Sequence, residues 1–125
     1  MIGGALAGKR IFVAEDEAMV LMLFEDTLSD IGCEVAGTAS SLQEAIDKVG
    51  MLDFDIGLLD MNLSGQRSFA VADELLRKRI PFVFATGYGA SGIPEAYRSV
   101  PTVHKPFSQR DLESALASAI ARAAQ

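Results

Sequence analysis

The stretch that decides the fold is Asp55–Gly65, DIGLLDMNLSG. A short apolar run, Ile56-Gly57-Leu58-Leu59, leads into a carboxylate, Asp60, and then into a turn of small and polar residues. Asp can serve simply as a turn-former, because its side chain caps nearby backbone N–H groups. Whether Asp60 does more than that depends on what the rest of the chain brings to the same place.

Working outward, short β-branched or aromatic runs alternate with segments of helical period. Arg10–Ala14 (RIFVA) predicts a strand, followed by a helix from about Glu17 to Ile31. Cys33–Ala39 is the second strand. The helix after it carries Ser41 and Glu44 in capping-box spacing, with Leu42, Ala45, Ile46 and Val49 on one face. Phe54–Asp60 is the third strand, and a helix around Phe69–Arg79 follows with Ala72, Leu75 and Leu76 inward. Pro81–Ala85 is the fourth. Glycine and proline crowd Gly87–Pro94, so a helix there is short or irregular. Pro101–His104 is a brief fifth strand. The last helix takes Ser108 as N-cap and runs to about Ala123, with Leu112, Ala115, Leu116, Ala119 and Ile120 on its apolar face. The expected unit is a single domain over 1–125, with its core at about 9–123.

Five strands alternating with helical segments imply an α/β fold with a mostly parallel sheet covered on both faces. Chemistry in open sheets of this kind gathers beyond the carboxyl ends of the strands. Glu15-Asp16-Glu17 follow the first strand, and Asp60, Met61 and Asn62 close the third. Thr86 follows the fourth, and Lys105-Pro106 the fifth. Carboxylates drawn together repel, and hard oxygen ligands suit Mg²⁺. An ionised Asp beside such an ion can attack phosphorus and form an aspartyl phosphate. Lys105 by charge and Thr86 by hydrogen bond would hold the oxygens of the transferred group.

Composition removes other chemistries. The net charge of −6 argues against a nucleic-acid or anionic-membrane surface, which needs clustered Lys and Arg. Cys33 is the only cysteine, so the chain holds no internal disulfide; it reads as a small core hydrophobe. His104 is the only histidine, which removes Ser-His-Asp, Cys-His and multi-histidine metal schemes from this chain. The first ten residues, MIGGALAGKR, lack a signal pattern, and no apolar run approaches membrane-spanning length, so a cytoplasmic protein is expected. No phosphate-binding G-x-x-x-x-G-K-[ST] loop is present, which disfavours a nucleotide-binding protein.

The combination IFVAEDE (Ile11–Glu17), DIGLLDMNLSG, PFVFATGYG (Pro81–Gly89) and HKPF (His104–Phe107) resembles the receiver domain of two-component response regulators over nearly the whole chain. That resemblance implies a flavodoxin-like (βα)5 fold with strand order 2-1-3-4-5. It implies Asp60 as phosphoacceptor, Asp16 as a direct Mg²⁺ ligand and Glu15 acting through the metal's waters. Asp60 and the backbone carbonyl of Asn62 complete the metal's protein ligands, with Mn²⁺ or Ca²⁺ able to replace Mg²⁺. Thr86 and Lys105 match the family's hydroxyl and lysine, and Lys105-Pro106 resembles its cis peptide. The donor implied is a histidine kinase or a histidine phosphotransfer protein, and the output is a protein–protein contact. No independent substrate turnover is expected.

Two features depart from the common pattern. Most receivers carry Tyr or Phe three residues before the lysine, where this chain has Thr102. FATGYG (Phe84–Gly89) resembles the subgroup called FATGUY regulators, which shares both features. Tyr88 and Gly87–Gly92 are then candidates to report phosphorylation in place of the missing aromatic. The glycines could alternatively make only a mobile loop. On the first helix, Leu21, Phe24 and Leu28 can serve the core. Met19 and Met22 either pack deeply between sheet and last helix or stand exposed as a docking patch for the kinase.

Other readings carry less. A haloacid-dehalogenase-type phosphatase places D-x-D after its first strand, whereas Asp60-Met61-Asn62 follows the third and ends in an amide. A non-phosphorylated flavodoxin-like binding module predicts a broken site. A receiver excised from a hybrid kinase fits the same residues as a complete single-domain regulator. A monomer or weak dimer is expected.

Overall fold

The computed structural model describes residues 6–87 and 93–123. The elements run β1 (Arg10–Ala14), α1 (Ala18–Ile31), β2 (Glu34–Ala39), α2 (Leu42–Met51) and β3 (Ile56–Asp60). The short β4 (Asn62–Leu63) and β5 (Gln66–Arg67) follow, then α3 (Phe69–Lys78) and β6 (Phe82–Thr86). A 3-10 turn at Glu95–Tyr97, β7 (Thr102–His104) and α4 (Gln109–Ala123) complete the chain. Five strands form one parallel sheet in the order β2-β1-β3-β6-β7. Counted over these five alone, that is the expected 2-1-3-4-5 order of a flavodoxin-like receiver.

Burial follows the strand period of two. Leu58 and Val83 face a core shared with Phe24 and Leu28 of α1 and Leu112 and Leu116 of α4. Their neighbours Leu59 and Phe84 face the opposite core, with Ala45 and Val49 of α2 and Val71 and Leu75 of α3. Strands β3 and β6 are buried at all five positions, as expected for strands covered on both faces. Gly57, inside β3, answers a close approach. A Cβ there would stand 3.0 Å from Leu75 Cδ1 and 3.3 Å from the Phe82 side chain.

The helix ends follow their sequence signals. Ser41 and Ser108 accept from the N–H groups of Glu44 and Asp111 at 3.1 and 3.0 Å. The Glu44 carboxylate takes the N–H of Ser40, not that of Ser41, so the capping box is displaced by one residue. Gly32 closes α1 at φ +100, its N–H shared by the carbonyls of Leu28 and Ser29.

Several expectations shift. Glu17 stands at the N-cap position of α1 without a side-chain capping hydrogen bond. Leu76 is 48% exposed, because one 100° step beyond Leu75 carries it off the face that meets the sheet. Deep burial of Met19 and Met22 does not occur: they are 84% and 62% exposed, on the side of α1 away from Phe24 and Leu28. The helix between β6 and β7, expected to be short or irregular, is among the described residues the 3-10 turn alone, as expected. No helix among the described residues is long and apolar enough to cross a membrane.

Candidate functional site

The carboxyl ends of β1, β3 and β6 and the residue after β7 meet in a cleft of about 860 Å³. Asp16, Asp60, Asn62, Thr86 and Lys105 line it, together with Arg67 and an apolar wall of Val20, Leu23 and Phe107. Asp60 is the last residue of the wholly buried β3 and is itself buried. Its Oδ1 accepts the N–H of Asn62 at 3.1 Å, so Asp60 does form the local turn. Its other oxygen, Oδ2, receives Lys105 Nζ at 3.0 Å.

Lys105 Nζ also lies 3.0 Å from Oε1 of Glu15, which is 1% exposed. The remaining Glu15 oxygen accepts the Glu17 N–H at 3.1 Å. The Lys105 backbone is fixed too, its N–H donating to the Thr86 carbonyl at 2.8 Å, and the Lys105–Pro106 bond is cis. Oxygens of Glu15, Asp16 and Asp60 all lie within 4.8 Å of one another, a group that could hold a metal ion. All three donors are hard oxygens, the chemistry that Mg²⁺ takes.

Burial pushes Glu15 up to about 7, against the lowering by the Glu17 N–H and Lys105, and the charge of Asp60 adds to the rise. For Lys105, burial works downward, but its hydrogen bonds to Glu15 and Asp60 outweigh that and hold it above the ordinary lysine value. The site concentrates negative charge with one ammonium to offset it.

Asp16 is tied to the next loop: its Oδ2 accepts the Ser64 N–H at 3.0 Å. Ser64 and Gly65, at φ +52 and +85, form the two-residue turn of a hairpin pairing Asn62–Leu63 with Gln66–Arg67. Such a turn needs two left-handed residues, which Ser-Gly supplies.

A family model described as the response regulator receiver domain matches residues 11–117. This chain belongs to the response regulator receiver domain family. SdrG from Sphingomonas melonis Fr1, solved in solution, has 34% sequence identity and a TM-score of 0.81, covering 94% of this chain and 98% of that one. The PhyR receiver domain from Erythrobacter litoralis has 26% identity and a TM-score of 0.73, covering 97% and 93%. The transcriptional regulatory protein PdtaR of Mycobacterium tuberculosis is 30% identical over 122 residues, 94% of this chain and 60% of that protein. The chain thus spans about 60% of the length of the first curated relatives it matches.

The geometry of this receiver domain brings together Glu15, Asp16, Asp60, Asn62, Thr86 and Lys105. Thr102 lies apart from them, paired in register with Phe84, its hydroxyl donating to the Val100 carbonyl at 3.2 Å. Tyr88 lies outside the described residues. The sequence reading did not single out Arg67, whose guanidinium sits 5.8 Å from the centre of the Phe69 ring. The Ser-Gly turn that folds Arg67 back toward the cleft was the available signal.

Proposed function

We propose that this receiver accepts a phosphoryl group on Asp60 from a histidine kinase or histidine phosphotransfer protein, in a Mg²⁺-dependent step, and signals through protein–protein contacts. The observation that carries the proposal is Lys105 Nζ at 3.0 Å from both Glu15 and Asp60, beside Asp16 and Thr86 at one edge of the sheet. In the reaction, a carboxylate oxygen of Asp60 forms a bond to phosphorus as the donor histidine's P–N bond breaks. The departing imidazole takes the bonding pair. Lys105 follows the transferred oxygens with its charge and Thr86 with its hydroxyl. Asp16, Asp60 and the carbonyl of Asn62, with Glu15 through water, would hold a Mg²⁺, which would supply positive charge to the phosphoryl oxygens; Mn²⁺ or Ca²⁺ could stand in.

The donor protein docks over Met19, Met22 and Leu23, which stand exposed on α1 where Val20 and Leu23 wall the cleft. Methionine suits such an adaptable contact. FATGYG supports membership of the FATGUY subgroup, with Tyr88 and the glycines around it responding to phosphorylation. The unit is a single receiver over 1–125 acting in the cytoplasm, as a monomer or weak dimer. A second reading is the receiver portion of a longer protein, such as a hybrid kinase; the chain spans 60% of PdtaR, a transcriptional regulatory protein.

Intact mass after incubation with acetyl phosphate and Mg²⁺ tests the proposal. A gain of about 80 Da, lost on chelation and in Asp60→Asn, is expected. No gain, together with no beryllofluoride binding, would move the domain to a binding module that is not phosphorylated.

A further inference from the structure

A second cation lines the cleft. Among the described residues around it, Lys105 and Arg67 are the positively charged side chains. Lys105 is already engaged, its Nζ at 3.0 Å from both Glu15 and Asp60. Arg67 is not: among the described residues no ion pair joins it to a carboxylate, although Asp16 and Asp60 line the same cleft.

The hairpin fixes where that charge sits. Arg67 is paired in antiparallel register with Asn62, two residues beyond Asp60, and directly opposed side chains of such a pair leave the same face of the ribbon. Leu63, on the other face, is wholly buried, which pins the register. The hairpin is tied to the site as well, through the Ser64 N–H on Asp16. The Asn62 side chain is held in the turn, its Oδ1 accepting the Gly65 N–H at 2.9 Å. Arg67 keeps its donors. Its guanidinium carbon lies over the Phe69 ring, 5.8 Å from the centre, and attraction to a ring leaves most of the N–H groups available to an oxygen partner.

We propose that Arg67 is a phosphoryl-binding residue, its guanidinium donating to an oxygen of the phosphoryl group on Asp60 alongside Lys105 and Thr86. This rests on the phosphoryl-acceptor reading above. A phosphoryl group brings about two negative charges, and with Glu15 and Asp16 ionised beside a divalent ion the site then holds about four. Lys105 and that ion supply about three positive charges. The charge left over matches one guanidinium, whose planar fork suits phosphate oxygens. Arg67 contributes charge and hydrogen bonds and moves no proton, because a guanidinium stays protonated. Its field has opposite effects on the two ligands: it favours the anion and opposes the divalent ion. Removing it therefore weakens anion binding and eases metal binding.

Beryllofluoride is titrated at saturating Mg²⁺ into the wild-type chain, Arg67→Gln and Arg67→Lys, with fluorine NMR reporting the bound anion. Mg²⁺ alone is titrated separately against the backbone amide signals. Arg67→Gln is expected to weaken beryllofluoride binding about tenfold. Arg67→Lys keeps the charge and loses the fork, so a loss of about threefold is expected. Mg²⁺ binding alone is expected to be unchanged or up to about twofold tighter in Arg67→Gln. In the wild-type complex the Arg67 Nε–H signal, assigned by its absence from both variants, is expected to shift when beryllofluoride binds. Bound fluorine of equal affinity in wild type and Arg67→Gln overturns this inference alone, as does an Arg67 Nε–H signal that stays in place. A parallel loss of Mg²⁺ and beryllofluoride affinity also overturns it, because that marks a distorted hairpin. Absence of any bound fluorine signal in the wild-type chain overturns the phosphoryl-acceptor reading and this inference with it.

Discussion

Lys105 and Asp60 face each other at 3.0 Å across the carboxyl edge of the sheet, and the same ammonium reaches Glu15 at 3.0 Å. One cation thus serves two buried carboxylates. Lys105→Met leaves both without their counter-charge. Breaking a buried pair by removing one partner costs about 3 kcal/mol, the lower end of its range, since this edge opens to the cleft. Urea denaturation at neutral pH is expected to show that loss in metal-free protein, and added Mg²⁺ to restore much of it.

Glu15 sets a pH dependence of opposite sign to that of an ordinary salt-bridged carboxylate. Its folded-state pKa is raised from 4.5 to about 7, so between those values the folded protein binds more protons than the unfolded chain. Its contribution to stability is then full below about 4.5 and falls as pH rises through 7, by up to about 1.4 kcal/mol per unit. Glu15→Gln should flatten that part of the metal-free stability profile measured by urea denaturation from pH 4.5 to 7.5. A difference between wild type and variant that grows in favour of wild type toward higher pH would contradict it.

The two sides of α1 should respond differently to substitution. Met22→Glu is expected to leave stability within about 0.5 kcal/mol of wild type. Phe24→Ala, on the buried side, should lose about 3–5 kcal/mol. Thermal or urea melts of the pair decide it. Equal losses would mean that Met22 is packed.

Gly57→Ala pushes a methyl against Leu75 and the Phe82 side chain, so a loss of about 1–3 kcal/mol is expected in equilibrium unfolding. A neutral effect would show that α3 can withdraw from β3 at no cost.

Much of this was legible in the sequence because each signal was local. Ile56–Leu59 read as a strand buried on both faces, and Ser108 read as a cap. Four of the five strand ends named the acidic, hydroxyl and lysine groups before any of them was placed. What escaped depended on tertiary position. The inward assignment of Leu76 failed because an apolar residue one step round a helix is ordered by which neighbour reaches it, not by its own chemistry. The exposure of Met19 and Met22 could not be settled by period, since the apolar stripe of α1 is wider than its buried face. Tyr97 stacks on Phe69 and meets Phe84 edge-on, and the spacing of these three residues carries no pattern. The short hairpin at Ser64-Gly65 carried a turn signal but too few residues to read as strands.

The central claim is that a phosphoryl group is held on Asp60 itself. Borohydride reduction after acetyl phosphate treatment, followed by peptide sequencing in a mass spectrometer, tests it most directly, because an acyl phosphate is reduced and a free carboxylate is not. The account predicts homoserine at position 60, dependent on Mg²⁺. An unmodified Asp60 beside a phosphorylated or reduced residue elsewhere would contradict it.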